Sequence, residues 1–477
     1  MRELIGRKHE IEELERYAAS SSAEFVAIYG RRRIGKTFLV SNVFHNKLSF
    51  SMTGIIDGTF EEQMHVFVDA MSIYGKPLSK QPKSWLEAFS ILRDFLVQKK
   101  KRGSRRIVFI DELPCFDTQR SGFVRALGYF WNSWASQQND LMLIVCGSAT
   151  SWMVSKIIDN RGGLHNRITQ EMHLQPFSLS ETEKYFESKG FSWGRNTILQ
   201  AYMVFGGVPY YMSLLRKDQS LAKNIDRMFF ASDALLKYEY DRLFQTLFNS
   251  PEPYKHIVRL LAENKSGLTR RELSDKLGMK TGGNLTTLLQ NLVRCDFVRM
   301  YNVKGKKIKS SSGIYQIKDF FSLFHITFLQ QNVTTNEHFW STHLETPTLN
   351  SWCGLSFERV CMAHIQQIKK SLGIDKINTE YYSWRSKKSA DNVQIDLVIE
   401  RADGNTNICE IKYSKSVYSI DAWEEKRLNA RADVYSSETK TRNGLQLTMI
   451  TSSGLKHNSH SDRISAEVSL DDLFAEI

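Results

Sequence analysis

Gly30-Arg31-Arg32-Arg33-Ile34-Gly35-Lys36-Thr37 decides how the first part of this chain folds. The stretch satisfies G-x-x-x-x-G-K-[ST], follows the apolar run Phe25–Tyr29 and precedes a helical pattern, the context in which such a turn cradles phosphate. Glycines let the backbone curl until its N–H groups face phosphate oxygens, and the helix that follows adds the favourable end of its dipole. The segment from Gly30 through Arg31, Arg32, Arg33, Ile34 and Gly35 to Lys36, Thr37 and Phe38 is therefore expected to bind ATP. Lys36 is expected to reach the β- and γ-phosphates, and Thr37 to place its hydroxyl on Mg²⁺.

Short apolar runs around this turn, at 25–29, 48–52, 106–110, 141–145 and 171–175, alternate with helical patterns. That alternation predicts βαβ units and an α/β fold with a parallel sheet covered by helices. Ligands of parallel sheets bind at the carboxyl edge, where Ile107–Ile110 ends in Asp111-Glu112. Asp111 is expected to hold Mg²⁺ through its water shell, and Glu112 to polarise the attacking water as general base. The run Leu141–Gly147 ends in Ser148, whose hydroxyl would lie beside the γ-phosphate if this strand sits between the other two. Arg161 and Arg167 in NRGGLHNR are candidates to stabilise charge on the transferring phosphoryl, from the same chain or a neighbouring subunit. Near the start, Ile5-Gly6-Arg7 is placed either over the adenine or in a helix packed on the sheet.

The chain has 477 residues, which suits about three domains at the usual ~100–200 residues each. Lys and Arg total 64 against 52 Asp and Glu, a net charge of +12 that favours polyanionic partners. The six cysteines form no C-x-x-C pair, which points away from a zinc site or a disulfide framework. No apolar run approaches the ~18 residues needed to span a bilayer, so a soluble, cytoplasmic chain is expected. The predicted organisation is a P-loop core over 1–180, a helical lid over 181–250 carrying the FGGVPYY turn, a winged helix-turn-helix over 251–318, an aromatic-rich connecting segment over 319–345 and a small α/β domain over 346–477.

In the 251–318 segment, three helical patterns precede two short strands that flank Lys304, Lys306, Lys307 and Lys309. Thr269 is placed to cap the second helix and Gly278 to end it. Three helices and a basic hairpin predict a winged helix, with the third helix in the major groove of DNA and the lysines on phosphate.

The last segment holds Glu358 in an apolar helical pattern, then Asp396 starting one strand, then Glu410-Ile-Lys412 ending the next. Alternation puts Glu410 and Lys412 on one face. Asp396 and Glu410 with the Ile411 carbonyl are hard oxygen ligands suited to Mg²⁺, Glu358 could complete the set, and Lys412 could position the attacking water.

The P-loop, the Asp111-Glu112 pair, Ser148, the early Gly-Arg-Lys element and the Gly206-Gly207-Val-Pro209-Tyr turn together resemble the archaeal-type ATPases of the AAA+/STAND branch. The resemblance covers most of residues 1–240 and implies an extra central strand, a catalytic glutamate beside the magnesium aspartate and a helical lid. It implies roles for Lys36, Thr37, Asp111, Glu112, Ser148 and Arg167. Residues ~350–420 resemble the PD-(D/E)XK nuclease-like superfamily, with Ile395 where the nominal proline precedes the aspartate. The order of ATPase, winged helix and nuclease-like domain is similar to a family of ATPases widespread in archaea and also found in bacteria. Two readings follow. In one, an ATPase associated with DNA controls a Mg²⁺-dependent nuclease-like domain, with an oligomer as a possible assembly. In the other, a nucleotide-dependent switch or transcription regulator uses an inactive C-terminal domain for protein binding.

Overall fold

The computed structural model describes residues 4–160, 162–279, 282–301, 313–330, 336–386 and 393–477. The chain divides into two compact units, Met1–Pro176 and Phe177–Ile477.

The first unit is built on β1 (Glu24–Tyr29), β2 (Leu48–Thr53), β3 (Arg106–Asp111), β4 (Leu141–Gly147) and β5 (Gln170–His173), each within a residue or two of the run that predicts it. They form one parallel sheet in the order β2-β3-β4-β1-β5, so β4 lies between the P-loop strand and the strand that ends in Asp111. β1, β3 and β4 are buried almost throughout, the pattern of a sheet covered on both faces. Alternate side chains serve the two layers. Phe25 and Ala27 face an aromatic core with Trp85, Phe89, Phe123 and Phe130, whereas Val26 and Ile28 face Leu14, Leu39, Val40 and Phe44. Helices Phe60–Ile73 and Trp85–Gln98 begin where Thr59 and Ser84 cap them, each side chain accepting a first-turn backbone N–H. Such caps contribute about 1 kcal/mol apiece.

The second unit opens with Leu179–Ser188, which begins at a Ser178/Glu181 capping box, followed by Arg195–Phe205. Gly206 and Gly207 end the latter with φ of 64° and 66°, and a Cβ on Gly207 would lie 2.2 Å from the Phe177 carbonyl oxygen. Only glycine fits there. Residues 319–330, the aromatic-rich start of the segment expected to connect domains, are largely buried in this unit's core. Phe321 stacks on Tyr211 at 4.8 Å and Phe324 lies 4.7 Å from Phe229. Phe324, Phe328, Trp340 and Trp352 then form one aromatic cluster.

Helix Glu252–Glu263, β6 (Leu268–Thr269), helices Arg270–Leu277 and Gly283–Arg294, β7 (Val298–Tyr301) and β8 (Ile314–Ile317) follow in that order. The strands form an antiparallel sheet ordered β6-β8-β7. Thr269 caps the second helix and left-handed Gly278 stops it, as their spacing predicts. Lys304, Lys306, Lys307 and Lys309 lie outside the described residues.

The end of the chain runs through helix Pro347–Ala363, β9 (Thr379–Arg385), β10 (Gln394–Arg401), β11 (Asn405–Lys412), β12 (Tyr418–Ser419), helix Ala422–Thr439, β13 (Gly444–Thr451), β14 (Leu455–Lys456) and β15 (Ile464–Val468). The main sheet is ordered β15-β13-β11-β10-β9 and is mixed: β9, β10 and β11 are antiparallel, while β13 runs parallel to β11 and β15. Tyr301 and Ile314 from the smaller sheet share an apolar cluster with Tyr382, Trp384, Ile395 and Val398, and Arg385 pairs with Glu272 at 2.6 Å. The three-helix segment and the C-terminal sheet are therefore packed on one another. Among the described residues, no helix is long and apolar enough to cross a membrane.

Candidate active sites

The first site forms where β1, β3 and β4 end. Gly30 has φ 144°, and a Cβ there would lie 2.3 Å from the Leu174 carbonyl oxygen, so the turn leaves β1 only as glycine. Gly35, at φ 90°, starts helix Lys36–Val43. Lys36 is buried, and its ammonium donates to the Gly30 and Arg31 carbonyls at 2.9 Å each, which holds it inside the curl of the loop. Arg31 is buried too, Arg33 adopts positive φ and Phe38 is exposed.

One residue into the helix, the Thr37 hydroxyl donates to Asp111 Oδ2 at 2.6 Å. Asp111 is buried, and its Oδ1 accepts the Glu112 backbone N–H at 2.9 Å. Glu112 sits in the left-handed region at φ 46°, ψ 47°, an uncommon conformation for a residue with a Cβ. Its Oε2 accepts from Ser148 twice, from the hydroxyl at 2.9 Å and from the backbone N–H at 3.2 Å. The P-loop, the acidic pair and Ser148 thus meet at one edge of the sheet.

Two cysteines lie close to this edge. Burial, followed by Glu112, Asp57 and Asp111, pushes the Cys115 thiol up to about 12. Burial and then Asp111 push Cys146 well above the usual thiol range. A hydroxyl and a carboxylate in direct contact are hard oxygen donors, the set that Mg²⁺ takes.

Two glycines shape the site without a sequence signal, and Arg7 of the early element supports it. A Cβ on Gly54 would lie 2.7 Å from Cys115 Cβ and 2.9 Å from the Glu112 carbonyl oxygen, and one on Gly147 would lie 2.8 Å from Pro114 Cδ. Both glycines make room for the Glu112 turn. Arg7 is buried and donates to the Ile34 carbonyl at 3.3 Å, so the early Gly-Arg element steadies the P-loop. Among the described residues, Arg167 is exposed and makes no hydrogen bond to the cluster, and Arg161 lies outside them.

The second site lies at one end of β10 and β11. Asp396 Oδ2 accepts the Ile411 backbone N–H at 3.2 Å. Lys412 lies 2.9 Å from Glu410 and 3.0 Å from Glu424, consistent with alternation placing it on the face of Glu410. Glu358 lies 3.5 Å from its neighbour Arg359. Burial first, then Glu410 and Glu358, pushes the Asp396 carboxyl well above the carboxylate range. Burial also raises Glu358, against the opposing charge of Arg359 and with Glu410 adding to the shift. Lys412, which burial alone would lower, is held above its ordinary value by Glu410 and Glu424.

The charges of Glu410 and Glu358 thus add to the shift at Asp396, and that of Glu410 to the shift at Glu358. The three carboxylates do not converge as a closed metal cage: among the described residues, no three His, Cys, Asp or Glu side chains are arranged to hold a metal ion. Glu410 is occupied by Arg427 at 3.1 Å and by Arg431, both from helix Ala422–Thr439. Sequence reading missed these arginines, although their i, i+4 spacing puts them on one helix face.

Residues 4–215 match the family described as an ATPase domain predominantly from Archaea. By this match the segment is similar to an archaeal-type ATPase domain. The chain is 26% identical over 373 residues to an uncharacterized protein of Methanocaldococcus jannaschii, a match that covers 77% of this chain and 78% of that protein. An uncharacterized ATP-binding protein of the same archaeon is 44% identical over 43 residues, which is 9% of this chain and 73% of that one. Among solved structures, the Walker-type ATPase PABY2304 of Pyrococcus abyssi aligns with a TM-score of 0.49 and 19% identity, covering 68% of this chain and 96% of that one. The Aeropyrum pernix ORC2 protein in its ADPNP-ADP complexes aligns with a TM-score of 0.41 and 16% identity, covering 68% of this chain and 93% of that one. The family match ends at 215, past the β-sheet unit and within the helices that follow.

Proposed function

We propose that the chain is a Mg²⁺-dependent ATPase whose nucleotide state controls a DNA-associated C-terminal unit. The contact that carries this reading is Thr37 to Asp111 at 2.6 Å, with Glu112 the next residue and tied to Ser148. Thr37 and Asp111 would hold the cation, whose bound form neutralises the phosphates and supplies electrophilic assistance at the γ-phosphoryl. Lys36 binds the β- and γ-phosphates, and Glu112 takes a proton from the attacking water. Ser148 orients Glu112 and contacts the γ-phosphate, and Arg167 is a candidate finger in cis or from another copy. Lys36→Ala should weaken ATP binding by roughly 10–150-fold, the worth of a charge-assisted hydrogen bond of ~1.5–3 kcal/mol. Titration with a fluorescent ATP analogue measures it, and wild-type affinity would remove Lys36 from the site.

The helix–strand–helix–helix–hairpin order of residues 251–318 supports a winged helix that binds DNA. Asn284, Thr287 and Gln290 are exposed on its third helix and are side chains able to read base edges. Neutralising Lys304, Lys306, Lys307 and Lys309 with glutamine should weaken binding to all DNA sequences alike. The slope of log K against log salt should flatten by up to ~0.9 for each phosphate that is no longer neutralised. An unchanged slope would assign this segment to protein docking.

Helix, three antiparallel strands, helix and parallel strand, with Asp396, Glu410 and Lys412 at one strand end and Glu358 on the first helix, support a PD-(D/E)XK nuclease-like domain over 346–477. The second reading, a switch without cleavage, is favoured by one observation: Glu410 is already paired with Lys412, Arg427 and Arg431.

A further inference from the structure

The indole of Trp423, in the first turn of helix Ala422–Thr439, is 68% exposed. Isolated exposed apolar side chains are ordinary and by themselves signify nothing. What sets this ring apart is its connection to the acidic centre. Arg427, one turn along the helix, holds its guanidinium 5.0 Å from the ring centroid. The same guanidinium donates to Glu410 at 3.1 Å and to Glu424 at 2.5 Å. Lys412 joins both carboxylates and lies 5.8 Å from the ring centroid of Tyr418. An exposed indole is thus tied through a single side chain to the proposed reaction centre, among Lys412, Arg427 and Arg431.

We propose that Trp423 is a stacking subsite for an unpaired nucleobase, and that the acidic centre beside it takes single-stranded DNA in preference to continuous duplex. In a duplex each base face is covered by its neighbours, so an indole can stack only on a base that is unpaired or at an end. Arg427 contributes a planar cation beside the ring, while the charges of Lys412, Arg427 and Arg431 are already paired with Glu410 and Glu424, so the stacking face and not free charge carries the proposed contact. The net charge of +12 suits the same polyanion. This inference rests on reading the acidic centre as nuclease-like, and it adds the substrate class.

The test uses the full chain with Ca²⁺ in place of Mg²⁺, so that binding is read apart from cleavage. Fluorescein-labelled oligothymidylate of about 20 nucleotides, enough to cover a typical single-strand site, is titrated by anisotropy beside a duplex of equal length. Trp423→Ala should weaken single-strand binding by roughly 5–150-fold, the worth of one base stacked on an aromatic ring. Duplex binding should change little, and Trp423→Phe should recover most of the loss. An unchanged single-strand affinity, an equal loss on both DNAs, or a Phe variant as weak as the Ala variant would each overturn the subsite. So would unchanged DNA affinity accompanied by loss of self-association in light scattering, which would make the ring a protein contact. Asp396→Ala separates the two ideas. If wild type never cuts DNA yet Trp423→Ala loses its single-strand grip, the nuclease reading alone fails. If cleavage depends on Asp396 while Trp423→Ala binds normally, the stacking subsite alone fails.

Discussion

Replacing Glu112 with glutamine is expected to lower ATP turnover by about 10²–10⁴-fold, the usual contribution of a general base, with little change in nucleotide affinity. Glutamine keeps the shape of the side chain and an oxygen that can accept from the Ser148 hydroxyl and N–H, which now lie 2.9 and 3.2 Å from Glu112 Oε2. The left-handed turn at φ 46° is set by the backbone and by the space that Gly54 and Gly147 leave, so the substitution does not disturb it. Thr37, Asp111 and Lys36 are untouched, and they carry the contacts proposed for phosphate and cation. Only basicity is lost. Single-turnover hydrolysis beside equilibrium binding of a fluorescent nucleotide separates the two effects. Turnover within about threefold of wild type would mean that Glu112 orients the site without accepting the proton.

The first unit was legible because its signals are local. Five apolar runs give five strands, and the phosphate turn needs only the residues within it. Strand order is not local: nothing in Leu141–Gly147 says that it inserts between β1 and β3, and the Ser148 to Glu112 contact follows from that insertion. The same reason explains why the burial of residues 319–330 could not be assigned to particular partners from the sequence. The phenylalanines of this stretch announce burial, but their partners Tyr211, Phe229 and Trp352 are distant in sequence, so a core element reads like a connection. At the acidic centre, alternation along one strand puts Glu410 and Lys412 on one face, and the hairpin spacing brings Asp396 within reach of them. Arg427 and Arg431 could not be found in this way, because their roles depend on a helix returning against β11 after the intervening loop.

That return decides the largest effect expected at the C-terminal centre. Under the nuclease-like reading, the wild-type chain incubated with Mg²⁺ or Mn²⁺ should cleave DNA, and Asp396→Ala, which removes a proposed cation ligand, should lose at least about 10²-fold of that activity. Cation binding has its own readout. In the folded chain the Asp396 carboxyl is raised by burial and by Glu410 and Glu358, so the native state holds a proton that the unfolded chain gives up. The sign is therefore that of a group which destabilises the fold as pH rises above its unfolded value, because ionisation there is resisted. A divalent cation relieves that resistance, since it needs the ionised carboxylate and offsets the repulsion among the three acids. Mg²⁺ should consequently raise the melting temperature more at pH 8 than at pH 6 in wild type, with stabilisation of up to about 2.7 kcal/mol at a hundredfold excess over Kd. In Asp396→Ala the cation-dependent increase should shrink and lose its pH dependence. Binding must also draw Glu410 away from Arg427 and Arg431, so Arg431→Ala should increase metal affinity if those pairs compete with the cation. If wild type shows neither cleavage, with or without ATP, nor any Mg²⁺-dependent stabilisation, the arginines are the permanent partners of Glu410 and the C-terminal unit acts as the binding end of a nucleotide switch.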